Sequence, residues 1–287
     1  MHLHRPALIL VAALLSACAA APQKVAPAPA AAAVTANDNL NATLWMQTAI
    51  EYEAATRSIF GAAKAALDEA LADKSWNALP HGESAAGFEN KKPAIIVDLD
   101  ETFIDNSRFQ ARNVAENQPW SRERWLEWVN AEKADALPGA LEFVQYATER
   151  GVTFFYITNR DAPEEVAPTL ANLKKLGFPM LEGDSNLMLR GDARAPAREK
   201  GERRKFVDRD YRVVMMFGDN IGDFLDGVST NLEARKQLAE PYADWWGRRW
   251  FMLPNPTYGS WENAILRSCS TETSPTACRR GALRHEY

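Results

Sequence analysis

Two aspartates stand two residues apart in Asp98-Leu99-Asp100-Glu101-Thr102, directly after the apolar run Ala94-Ile95-Ile96-Val97. At a strand end, residues two apart point the same way, so both carboxylates face one solvent edge. Like charges this close repel unless a cation sits between them. Leu99 argues against a plain turn, where Gly, Asn or Ser is usual. A second acidic pair lies in Gly218-Asp219-Asn220-Ile221-Gly222-Asp223, after the apolar run Val213 to Phe217. Gly218 there supplies backbone freedom, and Asp223 is equally placed to cap a following helix. Between the two pairs, Thr158-Asn159-Arg160 follows Val152 to Ile157. A hydroxyl and an adjacent amide can both donate to a phosphoryl oxygen, although the triplet alone fits a helix cap as well. Arg198, Lys200, Arg203, Arg204 and Lys205 crowd together further on. For four of those five, the simplest reading is a solvated helix face.

These residues need elements to hold them. Tyr52, Ile59, Ala63, Ala66, Leu67 and Ala70 recur at three- and four-residue steps and predict a helix over 40–76. Gly61 is expected to bend or divide it. Ala94 to Val97, Val152 to Ile157, Val213 to Phe217 and Trp250 to Leu253 are short apolar runs and predict four buried strands. Helices are expected over 121–131, over 140–150 with Gly151 closing the end, and from Asp161-Ala162-Pro163 to Gly177. Pro80-His81-Gly82 and Pro138-Gly139 mark a loop and a turn. Strands alternating with helices predict an α/β fold, a Rossmann-like parallel sheet with helices on both faces. Ligands sit at the carboxyl ends of such strands, where all three motifs lie. Neither a Gly-x-Gly-x-x-Gly nor a Gly-x-Ser-x-Gly motif occurs, and no solenoid repeat is present.

The order Asp-x-Asp-x-Thr, Thr, Lys and Gly-Asp-x-x-x-Asp resembles the four motifs of the haloacid dehalogenase superfamily of phosphohydrolases. The stretches Ile96-Val-Asp-Leu-Asp-Glu-Thr-Phe-Ile-Asp-Asn-Ser107, Leu137-Pro-Gly-Ala140, Phe155-Tyr-Ile-Thr-Asn-Arg160, Gly218-Asp-Asn-Ile-Gly-Asp-Phe224 and Phe251-Met-Leu-Pro-Asn-Pro-Thr-Tyr-Gly-Ser-Trp261 are more closely similar to its class C acid phosphatases. Those are bacterial surface lipoproteins that act as 5′-nucleotidases and general phosphomonoesterases. The resemblance implies that Asp98 attacks phosphorus to form an aspartyl phosphate and that Asp100 is the general acid and base. It implies that Thr158, Asn159 and Lys200 bind phosphoryl oxygens. It further implies Mg²⁺ held by the Asp98 side chain, the Asp100 backbone carbonyl and the Asp219 side chain, with Asp223 supporting from behind. An all-oxygen donor set with few histidines suits that ion. Lys200 is favoured because Lys200-Gly-Glu-Arg203-Arg204 resembles the family's Lys-x-x-Arg; Lys205 is the second choice. Gly222 stands where the family often has a further aspartate.

By the same resemblance, residues 38–80 and 106–136 form a small helical cap, and residues 90–105 and 137–265 the core. Phe109, Asn113, Trp120, Trp125 and Trp128 fall in the cap and are candidates to meet the leaving group. An aromatic cap can stack a nucleobase or aryl group; the same residues can equally form the cap's own core.

Met1 to Arg5 is basic, and Pro6 to Leu15 is an apolar run too short to span a bilayer. Residues 1–17 therefore read as a signal peptide. Leu15-Ser16-Ala17-Cys18 resembles a bacterial lipobox, which implies lipidation of Cys18. Ala19 in the next position favours the outer membrane, periplasmic or surface face. Residues 19–33 hold nine alanines and three prolines and read as a tether, so 18–37 forms a lipidated stalk and 38–287 the folded domain. Cys269 and Cys278 are then left to pair as a structural disulfide. A formal charge of −5 leaves no footprint for a nucleic-acid polymer. The resemblance implies small phosphomonoesters as partners, with the membrane reached through the anchor alone; oligomeric state is open. Two other readings stand beside the hydrolase: a non-catalytic binding lipoprotein, and a phosphotransferase using the same intermediate.

Overall fold

The computed structural model describes residues 37–285. The signal peptide, Cys18 and nearly all of the expected tether lie outside them.

The order of elements is α1 (Leu40–Thr48), α2 (Ile50–Ala72), β1 (Lys92–Val97), β2 (Ile104–Asp105), α3 (Ser107–Ala115), α4 (Arg122–Ala131), β3 (Asp135–Ala136), α5 (Ala140–Thr148), β4 (Thr153–Asp161), α6 (Val166–Leu176), β5 (Leu187–Arg190), α7 (Gly201–Asp208), β6 (Tyr211–Gly218), α8 (Ile221–Phe224), α9 (Leu232–Ala239), β7 (Trp250–Met252), α10 (Ser260–Leu266) and α11 (Pro275–Gly281). Five strands form one sheet in the order β5-β4-β1-β6-β7, and every pair is parallel. β2 and β3 pair antiparallel as a separate ribbon beside the sheet.

Alternation along each strand divides the core into two faces. Ile95, Val97, Phe154 and Tyr156 enter one apolar cluster, while Ala94, Ile96, Phe155 and Ile157 enter the other. Helices α2, α5 and α6 cover the first face through residues such as Phe60, Phe143 and Leu173. The second is covered by Val207 of α7, Phe224 of α8 and an aromatic group around Trp250.

Several boundaries differ from expectation. Segment 40–76 divides at Ala49, whose extended backbone (φ −83°, ψ 125°) interrupts the helical ladder. Gly61 neither bends nor divides α2; it sits within the helix with open space around it. Strand β4 continues past Ile157 to Asp161, so Thr158-Asn159-Arg160 is strand and not a helix cap, and α6 begins only at Val166. The edge strand β5 is a fifth strand that no pattern announced, being only four residues long.

The cap boundary also needs correction. Helix α1 packs on α3, but α2 lies on the sheet: Phe60, Ala63, Leu67 and Ala70 join Val97, Phe143 and Phe217 in one cluster. Phe60 stacks on Phe217 at 5.8 Å between ring centroids. The cause is the wide apolar stripe of α2, far more than a small cap could bury. At the other end of the chain, Cys269 and Cys278 are joined as a disulfide, with Cα atoms 6.0 Å apart, tying the segment after α10 to α11. No helix among the described residues is long and apolar enough to cross a membrane.

Candidate active site

The carboxyl ends of β1, β4 and β6 lie side by side, because these strands are neighbours in the sheet. Asp98 follows β1 directly, and its backbone N–H donates to the Phe217 carbonyl at 3.0 Å, locking it to β6. Its side chain is buried and meets the Lys200 ammonium through Oδ1, while the Thr102 hydroxyl donates to Oδ2 at 3.3 Å. Lys200 also pairs with Asp223 at 2.8 Å. Asp98, Asp219 and Asp223 each offer an oxygen within 4.8 Å of the others. One ammonium thus faces three carboxylates.

The electrostatics follow from that imbalance. Burial, joined by the Asp223 and Asp100 charges, outweighs Lys200 and pushes Asp98 up to about 7. Asp219 is raised well above the usual carboxylate range by burial and then by Asp223 and Asp98. Burial works against the Lys200 ammonium too, yet Asp223 and Asp98 more than offset it and hold its pKa high. An additional cation relieves the strain at both aspartates, and an all-oxygen, carboxylate-rich set suits a hard divalent ion. The residues present therefore fit a divalent-cation centre.

The turn after β6 is built to hold these acids. Asp223 accepts from the Asn220 backbone N–H at 2.9 Å in a reciprocal cap of the short helix α8, so its capping and cluster roles coexist. A Cβ at Gly218 would collide with the Asp223 carboxylate, which is why glycine precedes Asp219. Asn255 donates to Asp219 at 2.7 Å, bringing the loop after β7 onto the site. Tyr258 of that loop reaches the Glu101 carboxyl. Glu101 is fully buried, and burial followed by the Asp100 and Asp219 charges raises its pKa well above the usual range.

Asp100 has partners of its own. Arg160 donates to it at 2.7 Å and Asn106 at 2.8 Å. Thr158 is buried at the sheet edge, its hydroxyl oxygen accepting from the Arg160 backbone N–H at 3.2 Å. Asn159 is exposed and accepts from Arg203 at 2.8 Å.

Lys200 is in the cluster; Lys205 pairs with Glu202 on the surface, half exposed. The expected solvated face fails for two further residues. Arg203 and Arg204 are fully buried, Arg203 donating to the Thr158 carbonyl at 2.5 Å and Arg204 pairing with Glu83 at 2.6 Å. Among the described residues Arg203 has no carboxylate partner, and burial lowers its pKa to about 10. Of the cap candidates, Phe109 packs edge-on against Trp125 at 5.2 Å, and Asn113 accepts from Arg124 at 2.8 Å. Both are buried. Trp120 is 60% exposed. Trp125 and Trp128 point their indole N–H groups at Glu165 (3.0 Å) and Asn106 (2.7 Å). The sequence reading gave no role to Glu101, Asn106, Arg160, Asn255 or Tyr258. Their one signal was position, since each stands inside or next to a motif.

A five-stranded parallel sheet with helices on both faces and a buried carboxylate cluster at its strand ends defines a haloacid dehalogenase-like α/β protein. Comparison with known proteins agrees. The sequence model of the HAD superfamily, subfamily IIIB (Acid phosphatase), matches residues 7–261. The class C acid phosphatase of Bacillus anthracis, solved with tungstate bound, is 31% identical with a TM-score of 0.75, covering 87% of this chain and 98% of that one. A second structure of the same enzyme superposes with a TM-score of 0.73 at 31% identity over the same shares. A stem 28 kDa glycoprotein of Glycine max is 25% identical over 172 residues, 58% of this chain and 60% of its own length. The match to a stem 31 kDa glycoprotein of that plant covers 47% of each chain at 26% identity. The chain thus spans about half to three fifths of these two curated relatives. It belongs to the HAD superfamily, subfamily IIIB acid phosphatases.

Proposed function

We propose that the protein hydrolyses small phosphomonoesters, nucleoside 5′-monophosphates among them, in two displacements through an aspartyl phosphate on Asp98. The observation that carries this reading is a buried carboxylate at a strand end, flanked by Lys200 and Thr102 within a three-carboxylate cluster.

In the first step an Asp98 oxygen attacks phosphorus and the bond to the leaving oxygen breaks. That oxygen takes the bond's electron pair and a proton from Asp100. Lys200 neutralises charge on the transferring group, and Thr158 and Asn159 at the end of β4 bind its oxygens. In the second step water gives a proton to Asp100 and attacks phosphorus. The bond to Asp98 breaks, phosphate departs and the carboxylate is restored. The side chains of Asp98 and Asp219 and the Asp100 carbonyl would hold Mg²⁺, with Asp223 behind them. Such an ion lets an anionic carboxylate approach an anionic ester and keeps Asp98 ionised in acid. Tungstate in the Bacillus anthracis relative is a tetrahedral oxyanion, and an anion site of that shape supports a phosphoryl substrate here. Trp120, the most exposed cap tryptophan, is left to meet the leaving group. Cys18 would anchor the enzyme to the outer membrane, where dephosphorylation readies charged metabolites for uptake.

The test is a panel of 5′- and 3′-nucleotides, sugar phosphates and aryl phosphates, with Mg²⁺ and with chelator, on the wild type and Asp98→Asn. The expected result is Mg²⁺-dependent release of phosphate by the wild type and a folded, inactive variant. Full activity of Asp98→Asn in chelator would sink the mechanism.

A further inference from the structure

Asp100 is held by groups that take no part in bond breaking. Its Oδ1 receives three contacts: Asn106 Nδ2 at 2.8 Å, Arg160 Nη2 at 2.7 Å and Arg160 Nε at 3.1 Å. Among the described residues, its Oδ2 has only the shared Nε, at 3.2 Å. The two oxygens are therefore not equivalent. Oδ1 is saturated with donors, and Oδ2 is the one free to carry a proton.

Both holders are fixed in turn by helix α4. An asparagine amide beside a carboxylate is useful in one flip only, with its NH₂ toward the acid. The Trp128 indole N–H donates to Asn106 Oδ1 at 2.7 Å, which selects that flip. Arg160 is buried and lies under the Trp125 ring, 5.4 Å from its centroid. The guanidinium also donates through Nη1 to Thr169 at 3.0 Å. Trp125 is itself pinned, its N–H donating at 3.0 Å to Glu165, a buried carboxylate that also pairs with Arg122 of α4. Residues 125 and 128 are one helical step of three apart, so they share a face of α4. A planar arginine fork between a carboxylate and an aromatic ring transmits orientation better than a flexible point charge.

We propose that α4 positions the acid: Trp125 and Trp128, acting through Arg160 and Asn106, hold Oδ1 of Asp100 so that Oδ2 delivers the proton to the leaving oxygen and takes it back from water. All four are positioning residues, and the proposal rests on the reading of Asp100 as general acid.

The test is leaving-group dependence. A dinitrophenyl phosphate departs without protonation, whereas an alkyl phosphate such as a nucleoside 5′-monophosphate needs it. The value of kcat/KM reports the step in which that bond breaks. Asp100→Asn is the control and should lose activity mainly on the alkyl ester. Arg160→Met should then lose about a hundredfold on the alkyl ester and little on the aryl ester, with Arg160→Lys recovering part of the loss. Trp128→Phe keeps the ring and removes one donor, so it should lose about tenfold on the alkyl ester alone; it carries the test if Arg160→Met does not fold. Equal losses on both esters in Trp128→Phe and Arg160→Met, beside a split in Asp100→Asn, would overturn the positioning role. No split in Asp100→Asn would overturn the acid assignment itself, and this inference with it.

Discussion

At the scale of single residues, the site is governed by charge imbalance. Lys200 is shared between Asp98 and Asp223, so its removal strips the only ammonium from a buried acidic cluster. Lys200→Met should lower kcat by about 10²–10³, as for loss of an oxyanion donor. It should also cost about 3–5 kcal/mol of stability, because a buried pair loses one partner; steady-state kinetics and denaturant unfolding check both. The raised carboxyls give a pH signature. Asp98 moves from an ordinary 3.8 up to about 7, and Asp219 is also raised. Between those values the folded protein binds more protons than the unfolded chain, so stability falls as pH rises. Groups held low act in the opposite sense, Asp161 and Asp192 only below 3.8 and Glu116 and Glu142 only below 4.5. In chelator, Tm should therefore fall as pH rises from about 5 to 7, and saturating Mg²⁺ should flatten that slope. A Tm that climbs across this window in chelator would contradict the assignment.

At the scale of elements, three adjacent parallel strands gather residues that are far apart in sequence. The apolar runs of β1, β4 and β6 were readable because strands buried on both faces are apolar throughout. Asp98 and Asp219 were readable because each stands at the end of such a run, Asp98 next to Val97 and Asp219 one glycine beyond Phe217. Edge strand β5 and the two-residue ribbon strands β2 and β3 were too short to show a period. Arg160, Asn255 and Tyr258 were unreadable for another reason. Their partners Asp100, Asp219 and Glu101 lie 60, 36 and 157 residues away, so only the folded sheet brings them together. The basic run shows the same limit: charge alone could not separate surface Arg198 and Lys205 from buried Lys200, Arg203 and Arg204. Helix α2 supplies an element-scale prediction. Since Phe60 packs on Phe103, Phe143 and Phe217, Phe60→Ala should cost about 3–5 kcal/mol in global unfolding. A helix belonging to a separate cap would leave the main transition unmoved.

At the scale of the whole molecule, the tryptophans divide between the sheet domain and the helices beside it. Trp250 and its neighbours fill one face of the sheet, Trp125 and Trp128 donate to Glu165 and Asn106, and Trp120 stays exposed. The Cys269–Cys278 bridge closes a short loop near the C-terminus, away from every group that touches Asp98. Reduction should therefore leave kcat unchanged, as a phosphatase assay with and without reductant will show. The central claim is that phosphorus passes through Asp98 on its way to water. Its most direct measurement is the stereochemistry of hydrolysis of an isotopically chiral phosphorothioate monoester in isotopically labelled water. Two successive in-line displacements predict retention of configuration in the released thiophosphate. Inversion would mean a single attack by water and would contradict the account.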